Sequence, residues 1–170
     1  MIRLHTPITE KDIETLKVGE KVLISGTIYT ARDQAHIRLL SEPNPAFEFH
    51  GSVVYYVGPT PNKDGVAIGA SGPTSSYRMD KLSVPLRERG LKVMIGKGDR
   101  SEEFRHEMIK NKAVYLIATG GAGALLSSRI KKSEVIMYED LNSEAIRKLE
   151  VEEFPCFVAY DIYGNNIFKD

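Results

Sequence analysis

An α/β domain built on one mixed sheet with flanking helices is what this sequence predicts, and three observations predict it. Short apolar segments alternate with amphipathic ones through the second half, in LKVMIG, SEEFRHEMIKN, AVYLIAT, GAGALLSSRI and SEVIMYE. The first half is richer in strand-like segments, which predicts extra antiparallel strands there. The 170 residues suffice for one well-buried core, so residues 1–170 read as a single domain.

The elements follow in order. IRLHTPI opens the chain as a strand. Thr9 and Asp12 have capping-box spacing before a short helical turn over IETL. KVLISGTIYT, dense in β-branched residues, is the first strong strand. ARDQAHIRLLSE places Ala35, Leu39 and Leu40 on one helical face and ends at Pro43 and Pro45. SVVYYVG is a buried strand, and VGPTPNKDGVAIGA, full of turn formers, is a loop or hairpin. A helix over roughly 75–89 has Met79, Leu82 and Leu86 as its apolar stripe, bent or shortened by Pro85. Ser101 caps the helix SEEFRHEMIKN, and Ser143 is read as the cap of a last helix, SEAIRKLE. CFVAYDIYGNNIF closes the chain with a hairpin turn at YGNN.

Lys+Arg and Asp+Glu number 23 each, so no basic excess advertises a nucleic-acid partner. No apolar run approaches the roughly 20 residues of a membrane helix, and the N-terminus lacks the apolar core of a signal peptide. A cytoplasmic protein without a membrane partner is expected. The lone Cys156 excludes an intramolecular disulfide and cannot by itself hold zinc or an iron–sulfur cluster. It follows Pro155 in an apolar stretch and reads as a small buried hydrophobe.

Three segments share one form, a buried-looking strand leading through a polar or glycine-rich turn into a helix: TIYTARDQAH, IGASGPTSSYRMD and LIATGGAGALLSS. In α/β sheets, ligands bind where strand C-terminal ends meet helix N-termini, and the free N–H groups there favour an anion. Arg32 and Arg78 fall in two of these turns, and arginine matches a carboxylate with two parallel hydrogen bonds. Lys97 lies between Gly96 and Gly98 after a fourth strand, where the glycines permit close backbone approach. Each feature has a plainer reading: SGPTSS as turn and helix cap, GGAGA as close packing without the dinucleotide fingerprint, Lys97 as a solvated lysine, and Asp33, His36 and Arg38 as helix-surface pairs.

Taken in order, GTIYTARDQAH, SGPTSSYRMD, IGKGD and TGGAGAL resemble the β-subunit of class I fumarate hydratases and L-tartrate dehydratases, which in single-chain relatives is the C-terminal domain. The resemblance covers the chain from about Leu4 to Phe168. It departs at Ser75 and Tyr77, where the family often has Thr and Gly, and at Asp99, where it often has a second glycine. It implies a swivelling β/β/α domain that closes over a site shared with a partner. It implies a hydro-lyase that reversibly dehydrates a 2-hydroxy dicarboxylate, malate to fumarate first, with L-tartrate the alternative. It implies a 4Fe–4S cluster held by an α-subunit and not by this chain, in an α₂β₂ assembly, with self-association of the β-chain when isolated. By position, Arg32, Arg78 and Lys97 would hold the substrate carboxylates, and Thr74 would move a proton. Asp33 and His36 would orient Arg32; Ser75 and Gly121 complete the second tier, and no metal ligand is assigned. Two rivals stand beside this reading: a non-catalytic dicarboxylate-binding module and a nucleotide-binding oxidoreductase built on TGGAGA.

Overall fold

The computed structural model describes residues 1–57, 79–118 and 123–168. Strands β1 (Ile2–His5), β2 (Lys21–Thr30), β3 (Val53–Tyr55), β4 (Val93–Gly96), β5 (Val114–Ile117), β6 (Ile130–Met137) and β7 (Ile146–Tyr160) form one seven-stranded sheet in the order β1-β2-β3-β4-β5-β7-β6. β7 also pairs with β2, so β2, β3, β4, β5 and β7 close into a ring. The pairs from β1 through β5 are parallel, and every pair made by β7 is antiparallel. The sheet is mixed as expected, and among the described residues its antiparallel pairs are all made by the C-terminal strand β7.

Successive side chains of a strand face opposite sides, and both sides are buried here. Val53, Tyr55, Val93, Ile95, Val114 and Leu116 face an inner core together with Ile24, Ile28, Leu149 and Phe154. Val54, Tyr56, Met94 and Tyr115 face an outer core that includes residues of α2 (Asp33–Leu39), α3 (Asp80–Glu88) and α4 (Glu102–Lys110). Helix α1 (Glu10–Thr15) adds Ile13 to the inner core, and α5 (Gly123–Ser128) adds Leu126. Gly26 sits where the β2–β7 register slips, at φ +107°, and a Cβ there would overlap Thr6 Oγ1. That glycine lets β2 bend between the stretch paired with β1 and the stretch paired with β3.

The Thr9 capping box and the Ser101 cap are present: Thr9 Oγ1 accepts from Asp12 N–H while Asp12 accepts from Thr9 N–H, and Ser101 accepts from Phe104 N–H. The helix expected over 75–89 runs from Asp80 to Glu88, continuing past Pro85, while 75–78 lie outside the described residues. So does the hairpin expected at 57–70, from Gly58 onward. SEAIRKLE is not a helix. Residues 139–144 form a 3₁₀ segment and Ile146 onward is strand β7. Ile146 and Leu149 are three residues apart, a spacing that would share one helical face, but Ile146 packs in the outer core and Leu149 in the inner one. In a strand, positions an odd number apart face opposite sides, and only a sheet buried on both faces accepts both. No helix among the described residues is long and apolar enough to cross a membrane.

Candidate functional site

Parallel strands place their C-terminal ends on one edge of the sheet. Thr30 of β2 is in register with Tyr55 of β3, Tyr55 with Ile95 of β4, and Ile95 with Leu116 of β5. Two residues beyond that line stand Arg32, Val57, Lys97 and Ala118. Backbone bonds carry the ladder past the strand ends, from Ala31 N–H to Tyr55 O (3.1 Å), Tyr56 N–H to Ile95 O (2.9 Å) and Ala118 N–H to Gly96 O (3.0 Å). The described chain therefore leaves β2, β3, β4 and β5 at the same edge, on adjacent strands. Arg32 and Lys97 follow strands two apart, about 10 Å at the backbone by sheet spacing.

Arg32 is the N-cap residue of α2 and is half-buried; its Nε is buried without a hydrogen-bond partner among the described residues. The fully buried His36 holds the turn. One helical turn on, its Nδ1 lies 2.8 Å from Arg32 O, so that nitrogen carries the donated proton. Burial lowers the His36 pKa to about 4, and the ring is neutral. Its edge meets Tyr56 with centroids 5.6 Å apart at 75°. The surface-pair alternative for His36 is thus corrected by its burial, while Arg38 does make a surface pair, a two-pronged bridge to Asp140 at 2.7 and 2.5 Å. Asp33 is half-buried at the first turn of α2.

Lys97 is exposed at the end of β4, and the turn that carries it is anchored from several sides. Tyr115 O–H donates to Gly98 O (2.8 Å). Tyr160 O–H donates to Asp99 Oδ1 and accepts from Arg100 N–H (3.0 Å) and Arg105 Nε (2.9 Å). Burial, with the bond to Asp99, pushes the Tyr160 hydroxyl up to about 12 and keeps it a donor. Arg105 Nη2 adds a bond to Asp99 Oδ2 (2.5 Å). Asp99 is the acceptor that locks the turn.

Beneath the turn lies a buried charged cluster. Arg100 donates from Nε to Asp80 Oδ1 (2.5 Å) and from Nη2 to Tyr56 O–H (3.2 Å) and Ser83 Oγ (3.3 Å). Asp80 Oδ2 accepts from Ser101 N–H (2.5 Å). Burial works against the Arg100 charge, and Tyr56, Asp80 and Tyr115 outweigh it, holding its pKa above the usual value. Arg87, fully buried and 4.0 Å from the Phe104 ring centre, has Ser83 Oγ at 3.4 Å, and burial lowers its pKa to about 10. Sequence reasoning passed over Asp80, Arg100 and Tyr160. Two of them sat inside motifs already quoted, RMD and the residue after IGKGD, where a charged side chain next to a ligand turn is the available signal.

Thr74, Arg78, Ser75 and Gly121 lie outside the described residues. Arg78 immediately precedes Met79, which is buried in the outer core, and Asp80 of the cluster. A groove of about 1140 Å³ elsewhere, beside β2 and the start of α1, does not reach Arg32 or Lys97. Glu10, Glu14 and Glu48 line it against Lys11 and His50, the wrong balance for a dianion. Cys156 is buried in the inner core, its Sγ 3.7 Å from Val22 O, and burial pushes its thiol pKa up. Such a thiol stays protonated and closed to iron. Among the described residues no three His, Cys, Asp or Glu side chains are placed to hold a metal ion.

Known proteins resemble the whole chain. The profile of the family described as Fumarase C-terminus matches residues 1–170. A protein of Methanocaldococcus jannaschii named "Putative L(+)-tartrate dehydratase subunit beta" is 34% identical, with 96% of this chain and 89% of that protein covered. "Fumarate hydratase 1, mitochondrial" of Leishmania major is 35% identical over 99% of this chain and 32% of its own length. "Fumarate hydratase class I, aerobic" of Escherichia coli K12 is 34% identical over 99% of this chain and 32% of its own. The chain thus spans about a third of the fumarate hydratases it matches and most of the tartrate dehydratase subunit. With the profile matching from end to end, the chain belongs to the Fumarase C-terminus family.

Proposed function

We propose that this chain is the β-subunit of a hydro-lyase that reversibly dehydrates a 2-hydroxy dicarboxylate, (S)-malate to fumarate. The observation that carries the reading is the single register line at one sheet edge, two residues beyond which stand Arg32 and Lys97, with Val57 and Ala118 on the strands beside them. Two cations about 10 Å apart at the backbone suit the two ends of a short diacid through their long side chains. A second reading, L-tartrate dehydration, is favoured by the name of the relative that this chain covers almost completely.

In this reading Arg32, Arg78 and Lys97 bind the two carboxylates. They also stabilise the charge that grows when the carbon beside a carboxylate loses its proton. Thr74 passes that proton. Its hydroxyl is too weak a base unaided, so a carboxylate of the partner subunit draws its own proton away. The leaving hydroxyl and that proton together make up the water released. The iron–sulfur cluster of class I enzymes does not fit this chain's residues, whose one thiol is buried and protonated. The cluster belongs to an α-subunit in an α₂β₂ assembly, and swivelling of this domain closes the shared site.

The test is reconstitution. The chain is co-expressed with an α-subunit carrying three cluster cysteines, the cluster is rebuilt without oxygen, and turnover of malate and of L-tartrate is followed separately. Turnover that requires both chains is expected, and the preferred acid decides between the readings. A formed complex that binds dicarboxylates without turnover would leave only a binding module. Arg78→Ala is expected to abolish activity while the subunit stays folded. Thr74→Val is expected to lower kcat far more than it raises KM, and a pure rise in KM would remove the proton-transfer role.

A further inference from the structure

The cations of the proposed site sit on separate turns, so something must fix their spacing. A misplacement of about 1 Å in such a site costs on the order of a hundredfold in rate. Glycine-flanked turns do not hold such spacing unaided. Among the described residues, the Arg100 side chain links the Lys97 turn to the packing under Arg32. Arg100 lies three residues after Lys97. Its Nε pairs at 2.5 Å with Asp80, two residues after Arg78. Its Nη2 reaches Tyr56, at the end of β3 where the 58–78 segment begins, at 3.2 Å. The Tyr56 ring in turn abuts His36, whose Nδ1–H holds the Arg32 carbonyl at 2.8 Å. Asp80 closes the circuit by accepting from Ser101 N–H at 2.5 Å.

The cluster is built for geometry. The Arg100 side chain is fully buried and lies 3.6 Å from the centre of the Phe104 ring. A planar guanidinium engages a carboxylate, a phenol and a serine hydroxyl from donors in a fixed fork, whereas an ammonium is a compact point charge on a flexible stem. A buried ion pair contributes little net stability compared with an apolar replacement, and fixing one arrangement is a use such pairs can serve.

We propose that Arg100, acting through Asp80 and Tyr56, is a positioning residue that fixes the Lys97 turn against the Arg32 turn at the spacing of a dicarboxylate. The proposal rests on the hydro-lyase reading above and adds to it a residue that need not touch substrate.

The test is a double-mutant cycle in the reconstituted two-subunit enzyme, read by malate turnover and by calorimetric binding of succinate as a non-reacting diacid. Arg100→Lys keeps the charge and loses the fork. The variant is expected to assemble, with kcat/KM down about 10- to 100-fold and succinate binding weakened. In a Lys97→Met background, where the cation being positioned is gone, the further loss of succinate affinity from Arg100→Lys is expected to shrink to within about twofold. Equal losses in both backgrounds, or no loss in either, would overturn the proposal. Should Arg100→Lys not fold, Tyr160→Phe serves in the same cycle. It removes the hydroxyl from Asp99, Arg105 and Arg100 N–H without uncovering a buried charge, and the same loss in both backgrounds again decides against the proposal. A wild-type complex that neither turns over malate nor binds succinate would instead remove the hydro-lyase reading itself.

Discussion

The two faces of the sheet are buried to the same degree and filled with different chemistry. Among the described residues the inner core is built from Val, Ile, Leu, Ala118, Phe154 and Cys156, with Tyr55 its one phenol. The outer face buries Asp80, Ser83, Arg87, Arg100 and His36 among aromatic and aliphatic residues. Apolar burial contributes stability without direction, whereas buried charge contributes direction at a cost in desolvation. The inner core is thus the part that keeps the ring closed, and the outer face is the part that aims the turns above it.

That contrast can be broken by measurement. Phe154→Ala removes a fully buried ring that meets Tyr55 edge-on at 5.2 Å. It should cost about 3–5 kcal/mol in chemical unfolding, and a small cost would deny the inner core its role. Arg87→Met is the opposite experiment. Asp80 pairs with Arg100 while the buried Arg87 reaches Ser83 Oγ, and Met keeps a contact to Phe104 without the charge. Stability unchanged or higher by about 1–4 kcal/mol is expected; a large loss would mean that the outer charges hold the fold.

His36 sharpens the contrast through pH. Its folded pKa lies near 4, below the ordinary 6.5. Between those values the unfolded chain binds a proton that the folded chain refuses, so stability is complete above about pH 6.5 and falls as pH drops toward 4. The slope is up to about 1.4 kcal/mol per pH unit. His36→Gln should flatten it, and an unchanged slope would place the acid sensitivity elsewhere. The smallest effects come from matched caps. Thr9→Ala, beside the inner core, and Ser101→Ala, beside the Asp80 cluster, should each cost about 1 kcal/mol. Only the second should also reduce turnover of the reconstituted enzyme.

The same contrast explains what could be read in advance. Strands β3, β4 and β5 were legible because a strand buried on both faces is a continuous apolar run. Caps were legible because Thr9 and Ser101 act within four residues. β7 was not, because Ile146 and Leu149 serve two different cores and their spacing mimics a helix. Arg32 and Lys97 were legible as cations in turns after strands. Asp80 and Arg100 were not assigned, because their partnership spans 20 residues and depends on β3 and β4 being neighbours. Nothing local distinguishes a buried arginine from a solvated one.

β7 has one further consequence. Along one edge it pairs with β2, and along the other first with β6 and then with β5. Lys21 meets Phe157 across nearly the whole chain. Contacts of such separation make folding slow, because the closure entropy of a long loop precedes any reward from pairing. During synthesis the N-terminal strands emerge first, and the ring cannot shut until the residues from Ile146 to Tyr160 follow. Until then β2 waits with an open apolar edge, a template for any other strand in reach. The interval between translating β2 and translating β7 is when this polypeptide is most exposed to aggregation and most in need of a chaperone.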